Sequence, residues 1–231
     1  MTSPARPSVA VVVLAAGAGS RFQAEINKTY LPLDGIPIVV WSLRRAAALD
    51  NLAALLLVIA EADRPMAESV LREHGLDAAV ELIVGGASRH ASEWEGLRAL
   101  APRIANDEID VVVIHDGARP HADAGLYEAV IERAAEHGGA IPGRAQPAVV
   151  ALNPEQDLSG ELVTVQTPQA FRAGDLYAAY LRADADGFDG TDTASTIERY
   201  TELAVVVVPG PDANTKITYP SDVSAGETRR T

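Results

Sequence analysis

A buried strand that runs directly into a glycine-rich turn opens the chain, and it constrains fold and function more than any other feature. Residues 9–14 form a short, uninterrupted apolar run, which is typical of a strand in a parallel sheet covered on both faces. In the turn, Gly17 and Gly19 let backbone N–H groups approach a phosphate with no side chain in the way. Arg21 and Lys28 then supply the positive charge that a triphosphate requires. The segment therefore predicts a nucleotide-binding loop.

Two commoner glycine-rich motifs do not fit this segment. The dinucleotide-binding fingerprint requires a third glycine three positions after the second, where this chain has Phe22. A Walker A loop requires glycine, lysine and Ser or Thr in direct succession, whereas Lys28 and Thr29 follow Asn27. Gly-Ala-Gly after a strand would by itself indicate a plain structural turn as readily as a ligand site. The two cations and the trailing Leu-Pro-Leu-x-Gly-x-Pro pattern favour the nucleotide.

The composition of the chain limits how it can bind a nucleotide. Its 231 residues suffice for one α/β domain or two small ones, and its formal net charge is −13. This charge argues against general binding of nucleic acid or of anionic membranes. A polyanionic nucleotide must therefore be held by a few local Arg and Lys residues together with a metal ion. The absence of cysteine excludes disulfides, thiolate metal sites and thiol nucleophiles.

Residues 1–18 bear a loose likeness to a secretory signal peptide, with Arg6, an apolar stretch from Val9 and small residues up to Ala18. The same residues begin the nucleotide motif, so we expect them to belong to the mature protein and we expect a cytoplasmic location. No stretch of the sequence approaches about eighteen uninterrupted apolar residues, so we expect no membrane span.

Strands and helices alternate along most of the chain. The predicted strands cover 9–14, 53–60, 80–84, 109–115 and 203–208, and the predicted helices cover 38–49, 64–74, 88–101 and 123–137. This order indicates βαβ units around a parallel sheet, in which ligands bind at the carboxyl ends of the strands. The glycine-rich turn, Gly85-Gly86 and Asp116 each follow or end one of these strands. Residues 144–166 break the pattern with two short Val-rich runs around a turn-rich connector, which indicates either a β-hairpin or a loose surface excursion.

Motifs from one end of the chain to the other resemble those of a known family. They are LAAGAGSRF at 14–22 with the lysine and LPLDGIP that follow, GGASRHAS at 85–92, VVVIHDGARP at 111–120, VQTPQAF at 165–171, GTDTAS at 190–195 and NTKIT at 214–218. In these motifs the chain resembles the sugar-phosphate nucleotidyltransferases. Within them it is most similar to the 2-C-methyl-D-erythritol 4-phosphate cytidylyltransferases of isoprenoid precursor synthesis and to their relatives that act on ribitol 5-phosphate.

The resemblance implies a fold and an assembly. The expected fold is α/β, a single Rossmann-like nucleotidyltransferase domain over 1–231 with a mostly parallel central sheet flanked by helices. A protruding β-arm at 144–166 is expected to embrace a second subunit, so the resemblance also implies a homodimer.

The resemblance also implies roles for individual residues. Expected catalytic residues are Arg21, Lys28 and Lys216, expected nucleotide-binding residues are Ala15, Ala16, Gly17, Ala18, Gly19, Gly86, Arg89, Ser92 and Gly117, and expected acceptor-binding residues are Arg119, Thr191, Asp192 and Thr218. Asp116, just past a buried strand, suits either a turn cap or a Mg²⁺ ligand, and the resemblance implies the metal. We expect His115 to be structural, Ser88 to cap a helix and NTKIT to form a short strand.

The implied reaction is a direct displacement, in which a phosphate oxygen of a small polyol phosphate attacks the α-phosphorus of CTP and pyrophosphate leaves. Three departures from the family pattern concern the pockets. Residues 146–149 lack the Asp-Thr-x-Lys pattern of the methylerythritol enzymes, Ser159 stands where they carry an arginine, and Ala87 stands where the family often has an acidic residue. We expect 2-C-methyl-D-erythritol 4-phosphate as the acceptor. Ribitol 5-phosphate, another nucleotide or acceptor, and a nucleotide-binding relative with little activity remain alternatives.

Overall fold

The computed structural model describes residues 6–17, 26–146, 162–219 and 222 of the chain. The strands are β1 (Val9–Leu14), β2 (Pro32–Leu33), β3 (Ile36–Pro37), β4 (Leu52–Ile59), β5 (Glu81–Val84), β6 (Val111–Asp116), β7 (Gly138–Ala145), β8 (Val163–Val165), β9 (Gln169–Arg172) and β10 (Ala204–Pro209). The α-helices are α1 (Ile38–Ala47), α2 (Arg64–Glu73), α3 (Arg89–Ala105), α4 (Ala124–His137), α5 (Ala173–Asp186) and α6 (Thr193–Tyr200). Short 3₁₀ turns cover Lys28–Tyr30 and Glu61–Asp63. Within the described ranges, no helix is both long and apolar enough to cross a membrane.

One mixed sheet forms the centre of the molecule. Its strands lie in the order β10-β7-β9-β6-β1-β4-β5, and the short strand β8 pairs with β7. β1 runs parallel to both of its neighbours, β4 and β6, while β5 runs parallel to β4 and β10 runs parallel to β7. β9 is antiparallel to β6 and β7, and β2 and β3 form a separate small hairpin. The prediction of a mostly parallel central sheet is confirmed.

Helices cover both faces of this sheet. Along β1, the side chains of Val9, Val11 and Val13 belong to a core with residues of α1, α2 and α4. The alternate residues Ala10 and Val12 belong to a second core with residues of α3, α5 and α6. All five side chains are fully buried. A strand with both faces covered must be apolar at every position, which is why β1 reads as a continuous apolar run.

The five predicted strands and four predicted helices are present, with ends that differ by a few residues. The predicted strand at 214–218 is wrong, because these residues have irregular backbone. The carbonyl oxygen of Asn214 accepts from the Arg119 side chain and that of Lys216 accepts from the Thr218 hydroxyl. In a strand these backbone carbonyl oxygens would accept hydrogen bonds from a neighbouring strand. Here they accept them from side chains instead.

A hairpin forms the base of the predicted arm. β7 and β8 pair in antiparallel fashion, with Arg144 opposite Thr164. The rest of the arm, 147–161, lies outside the described residues. The arm's contact with a second subunit therefore stays a prediction.

Candidate active site

A cavity of about 440 Å³ lies at the carboxyl edge of the sheet. β1 and β6 are in parallel register, so Leu14 at the end of one strand is paired with Asp116 at the end of the other. The cavity is lined by Leu14, Ala15, Ala16, Gly17, Lys28, Thr29, Gly86, Ala87, Ser88, Arg89, Ser92, Asp116, Ala118, Lys216 and Thr218. Its position agrees with the rule that ligands of parallel α/β sheets bind beyond the carboxyl ends of the strands.

Three cationic side chains surround the carboxylate of Asp116. Lys216 Nζ lies 2.8 Å from Oδ2, Arg89 Nη2 lies 3.4 Å from Oδ1, and Arg119 Nε lies 3.7 Å from Oδ2. Burial alone would raise the pKa of Asp116, but Lys216 and Arg89 hold that pKa well below its usual range. The carboxylate is therefore ionised at neutral pH, and the positive charge around it exceeds its own charge.

A buried polar cluster holds the backbone at Asp116. The Asp116 N–H donates to Thr167 Oγ1 at 3.0 Å, and that hydroxyl lies 3.3 Å from His115 Nδ1. His115 Nε2 lies 3.3 Å from Ser42 Oγ and 3.2 Å from the carbonyl oxygen of Arg119. Burial lowers the pKa of His115 to about 4, so its imidazole is neutral at pH 7. His115 contacts its protein neighbours on both ring nitrogens, which suits the structural role expected for it.

Lys28 is oriented by a capped turn. The Asn27 side chain accepts a hydrogen bond from the Thr29 N–H at 3.2 Å, and its amide donates to the carbonyl oxygen of Ala15 at 2.7 Å. The turn is thereby attached to the end of β1. Lys28 Nζ then reaches across and donates to the carbonyl oxygen of Ile217 at 2.9 Å.

The C-terminal segment carries Lys216 to the cavity and is anchored by Asn214. Asn214 is fully buried, and its side-chain amide donates to Gln166 Oε1 at 3.1 Å and to the carbonyl oxygen of Thr167 at 2.9 Å. Its own carbonyl oxygen accepts from Arg119 Nη1 at 2.8 Å. Asn214 therefore connects the segment to the residues that precede β9 through its side-chain amide and to the loop after β6 through its backbone carbonyl.

The first turn of α3 forms the wall on the side of β5. Ser88 caps this helix as predicted, because its hydroxyl accepts from the Ala91 N–H at 3.0 Å. Ser92 Oγ donates to the carbonyl oxygen of Ser88 at 2.8 Å, so it can still accept a hydrogen bond from a ligand. A Cβ at Gly86 would overlap the side chain of Ala91, so the close approach of this turn requires glycine.

Most of the predicted site residues that the structure describes meet at this cavity. Ala15, Ala16, Gly17, Lys28, Gly86, Arg89, Ser92, Asp116, Lys216 and Thr218 line it, and Arg119 reaches it through Asp116. Gly117 is not among the residues that line the cavity, and its N–H donates to the carbonyl oxygen of Leu14 at 2.9 Å. Thr191 precedes α6, and Asp192 caps that helix by accepting from the Ser195 N–H at 2.9 Å. Ala18, Gly19 and Arg21 lie outside the described residues.

Sequence reasoning missed three residues of the site. Thr167 and Asn214 lie inside the motifs that carry the family resemblance, but only the packing shows that they hold Asp116 and Lys216 in place. Glu93 follows Arg89 by one helical turn, a spacing that is equally typical of an exposed ion pair. Nothing in the sequence marks Glu93 as buried.

This cavity suits phosphate groups, because it has bare backbone on one side and cations around one carboxylate on the other. On this fold, such a cavity defines an α/β nucleotidyltransferase. Comparison with known proteins makes the class specific. The family model described as 2-C-methyl-D-erythritol 4-phosphate cytidylyltransferase matches residues 9–229, and the chain belongs to this family.

Individual relatives resemble the chain over nearly its whole length. The 2-C-methyl-D-erythritol 4-phosphate cytidylyltransferase of Bacillus velezensis is 35% identical over 225 residues, which cover 94% of this chain and 93% of the relative. That of Geotalea uraniireducens is 36% identical over 228 residues, which cover 95% of each chain. The solved structure of 4-diphosphocytidyl-2C-methyl-D-erythritol synthase from Anaerococcus prevotii superposes with a TM-score of 0.81 at 25% identity, covering 97% of this chain and 96% of that one. The cytidylyltransferase structure from Thermus thermophilus gives 0.72 at 26% identity, covering 97% and 100%.

Proposed function

We propose that this protein transfers the cytidylyl group of CTP to 2-C-methyl-D-erythritol 4-phosphate and releases pyrophosphate. The observation that carries the proposal is the cluster of Lys216, Arg89 and Arg119 around the ionised Asp116 in an open cavity at the carboxyl edge of the sheet. Two anionic substrates must meet in one place for this reaction, and such a cluster offsets their mutual repulsion.

The nucleotide lies between the loop after β1 and the start of α3. A Cβ at Gly17 would meet no atom of the described residues within 4 Å, so on their side the backbone there is open to a bound phosphate. Lys28 flanks the same space. The base lies against Gly86, where the Ser92 oxygen can accept a hydrogen bond from an exocyclic amino group such as that of cytosine.

The chemistry is an in-line displacement at the α-phosphorus. A phosphate oxygen of the acceptor, already anionic and in need of no general base, forms the new P–O bond while the bond to the β-phosphate oxygen breaks. Lys28 and Lys216 stabilise the charge that develops on the α-phosphoryl oxygens, each by about 3 kcal/mol, and Arg21 is expected to share this task. Arg119 binds the phosphate of the acceptor.

The residues around Asp116 fit a Mg²⁺ ion that is held mainly by substrate. In the part of the chain that the structure describes, no group of three or more His, Asp or Glu side chains is placed so that it could hold a metal ion. Asp116 would therefore be the protein's carboxylate ligand, and phosphate oxygens and water would fill the other positions, as is usual for Mg²⁺. The ion, when bound, neutralises charge on the triphosphate.

Two further points belong to the proposal. The family resemblance supports a homodimer in which residues 144–166 reach the partner. The departures at 146–149 and Ser159 favour ribitol 5-phosphate as the second candidate acceptor, because the methylerythritol enzymes carry acceptor-gripping residues at these positions.

Pyrophosphate release tests the proposal. Each of the four common ribonucleoside triphosphates is supplied with Mg²⁺ and with one acceptor at a time. The acceptors are 2-C-methyl-D-erythritol 4-phosphate, ribitol 5-phosphate, erythritol 4-phosphate and glycerol 3-phosphate. We expect CTP with methylerythritol phosphate to give the highest kcat/KM. A higher value with ribitol 5-phosphate would move the assignment to that acceptor. CTP binding without turnover of any acceptor would leave only a nucleotide-binding protein.

A further inference from the structure

A carboxylate with no exposure to solvent lies directly behind the candidate active site. Glu93, on α3, is fully buried, and three donors from three helices converge on it. Its Oε1 accepts hydrogen bonds from Arg89 Nη1 and from Thr193 Oγ1, the latter at 2.9 Å, and its Oε2 accepts from the Tyr180 hydroxyl. Both oxygens of the carboxylate are therefore engaged by specific partners.

Packing alone does not account for a carboxylate at this position. Burial raises the pKa of Glu93 to about 6, even though Arg89 and the two hydroxyl donors lower it. An apolar side chain of similar size would avoid this cost, and so a buried charge here is expected to serve a partner that needs it. Of the three donors, only Arg89 lines the cavity.

Arg89 is shared between Glu93 and Asp116, and the sharing is unequal. Its Nε and Nη2 both lie 3.4 Å from Asp116 Oδ1, at the long end of hydrogen-bonding distance. Its Nη1 donates to Glu93, which lies on the same helix one turn away. Glu93 can therefore retain the guanidinium when the cations around Asp116 turn from that carboxylate to the phosphates of a substrate.

We propose that Glu93 is a positioning residue for the nucleotide, which fixes the guanidinium of Arg89 at the cavity wall and acts only through it. The inference rests on the proposed function, since it takes the cavity to be a nucleotide site. It predicts that Glu93 matters for nucleotide affinity, whereas a purely structural Glu93 would matter for stability alone.

The first test observes Arg89 without any ligand. The Nη–H signals of Arg89, whose Nη1 donates to Glu93, are identified in a ¹H–¹⁵N spectrum by their loss in Arg89→Lys, and their exchange with water is measured. We expect Glu93→Gln to speed this exchange by at least about tenfold, because the amide replaces the anion that holds the guanidinium. Tyr180→Phe is the matched control, because it removes a donor from Oε2 and leaves the Oε1 contact with Arg89 intact. Unchanged exchange in Glu93→Gln would overturn the proposal.

The second test measures CTP affinity by calorimetry in a double-mutant cycle. Glu93→Gln should weaken CTP binding by about tenfold in the wild-type background and by less than about twofold in Arg89→Met. Equal losses in the two backgrounds, or a lowered melting temperature with unchanged CTP affinity, would show that Glu93 does not act through Arg89. Glu93→Asp replaces Glu93→Gln if the amide variant does not fold.

The two tests separate this proposal from the proposed function. If the wild-type protein does not bind CTP, the proposed function fails, and the exchange of the Arg89 signal still decides whether Glu93 holds Arg89. If CTP binds and the cycle is additive, the proposed function stands and the role of Glu93 is wrong.

Discussion

The charge of the cavity is opposite to that of the whole chain. The formal net charge is −13, yet Asp116 is the only acidic side chain among the described residues that line the cavity. Lys28, Arg89 and Lys216 line it as well. A polyanion that the rest of the surface repels is therefore attracted at this one place, and its binding depends on a small number of side chains.

Lys28 is the side chain whose removal should most clearly separate activity from stability. Lys28→Ala deletes a cation beside the proposed phosphate site, together with its hydrogen bond to Ile217, so we expect turnover to fall at least about a hundredfold while the fold is retained. Pyrophosphate release gives the rate and circular dichroism reports the fold. Arg98→Ala, which removes a surface cation paired with Glu95, is the control. Near-normal turnover in Lys28→Ala would contradict its assignment.

Gly17 allows a test of phosphate contact with the backbone. A methyl group there meets no atom of the residues that the structure describes within 4 Å, so Gly17→Ala should leave the free energy of unfolding within about 0.5 kcal/mol of the wild-type value. The methyl would occupy the space of the triphosphate, so the Kd for CTP should rise by about tenfold. Gly174→Ala, at a position equally open but on α5, should leave the Kd unchanged. Equal affinity in the two variants would mean that phosphate does not contact this backbone.

At the scale of elements, the irregular segment 214–218 holds Lys216 without belonging to the sheet. Its attachment rests on Asn214, whose amide donates to Gln166 and Thr167 from a fully buried position. Buried hydrogen bonds of this kind replace the ladder that a strand would provide, and the Ile217 N–H adds one more by donating to the carbonyl oxygen of Ala118 at 2.9 Å. Asn214 thus supports Lys216 from one side and Ile217 supports it from the other.

Asn214→Ala should therefore damage both stability and activity. The change leaves two buried acceptors without their donor, which should lower the free energy of unfolding by about 2 kcal/mol, and it should lower turnover by about tenfold because Lys216 loses its support. Urea unfolding and pyrophosphate release measure the two effects. Asp212→Ala is the control, because this side chain lies two residues before Asn214 and is 89% exposed. A destabilised variant with unchanged turnover would show that Lys216 does not depend on Asn214.

The elements that could be predicted from sequence are those whose pattern reflects their burial. β1 is apolar throughout and β6 is apolar up to Ile114, because both faces of these strands are covered. β7 has the sequence GGAIPGRA, whose glycines and proline are poor strand formers, and it was not predicted. The packing of neighbouring strands requires two of those glycines, because a Cβ at Gly139 would lie 2.7 Å from Phe171 and a Cβ at Gly143 would lie 2.6 Å from Val207. Constraints from a neighbouring strand cannot be read from local sequence.

The same distinction applies to the site. Asp116 and Lys216 could be predicted because they lie in motifs that the family resemblance covers. Glu93 could not, because a glutamate four residues after an arginine on a helix usually indicates a solvated pair. Only the packing of α5 and α6 against α3 buries it.

At the scale of the whole molecule, the burial of Glu93 should make the free energy of unfolding depend on pH. Burial raises the pKa of Glu93 from 4.5 to about 6, and Asp116 adds to the rise, while Arg89 and Tyr180 oppose it. The carboxyl group therefore binds its proton more tightly in the native state than in the unfolded state. Between these pH values the native state holds more protons, so this residue lowers stability by about 2 kcal/mol as pH rises from 4.5 to 7. The difference in unfolding free energy between wild type and Glu93→Gln should change by that amount. Parallel pH profiles would contradict the shift.

The whole chain contains only two lysines, Lys28 and Lys216, and both line the cavity. Acylation by an amine-selective reagent, followed by peptide mass spectrometry, therefore reports directly on the proposed nucleotide site, with the α-amino group of the same chain as an internal control. If CTP and Mg²⁺ bind there, acylation of both lysines should slow by at least about tenfold while that of the α-amino group is unchanged, since occupancy protects in proportion to binding. Equal acylation rates with and without saturating CTP would contradict the central claim that this cavity holds the triphosphate.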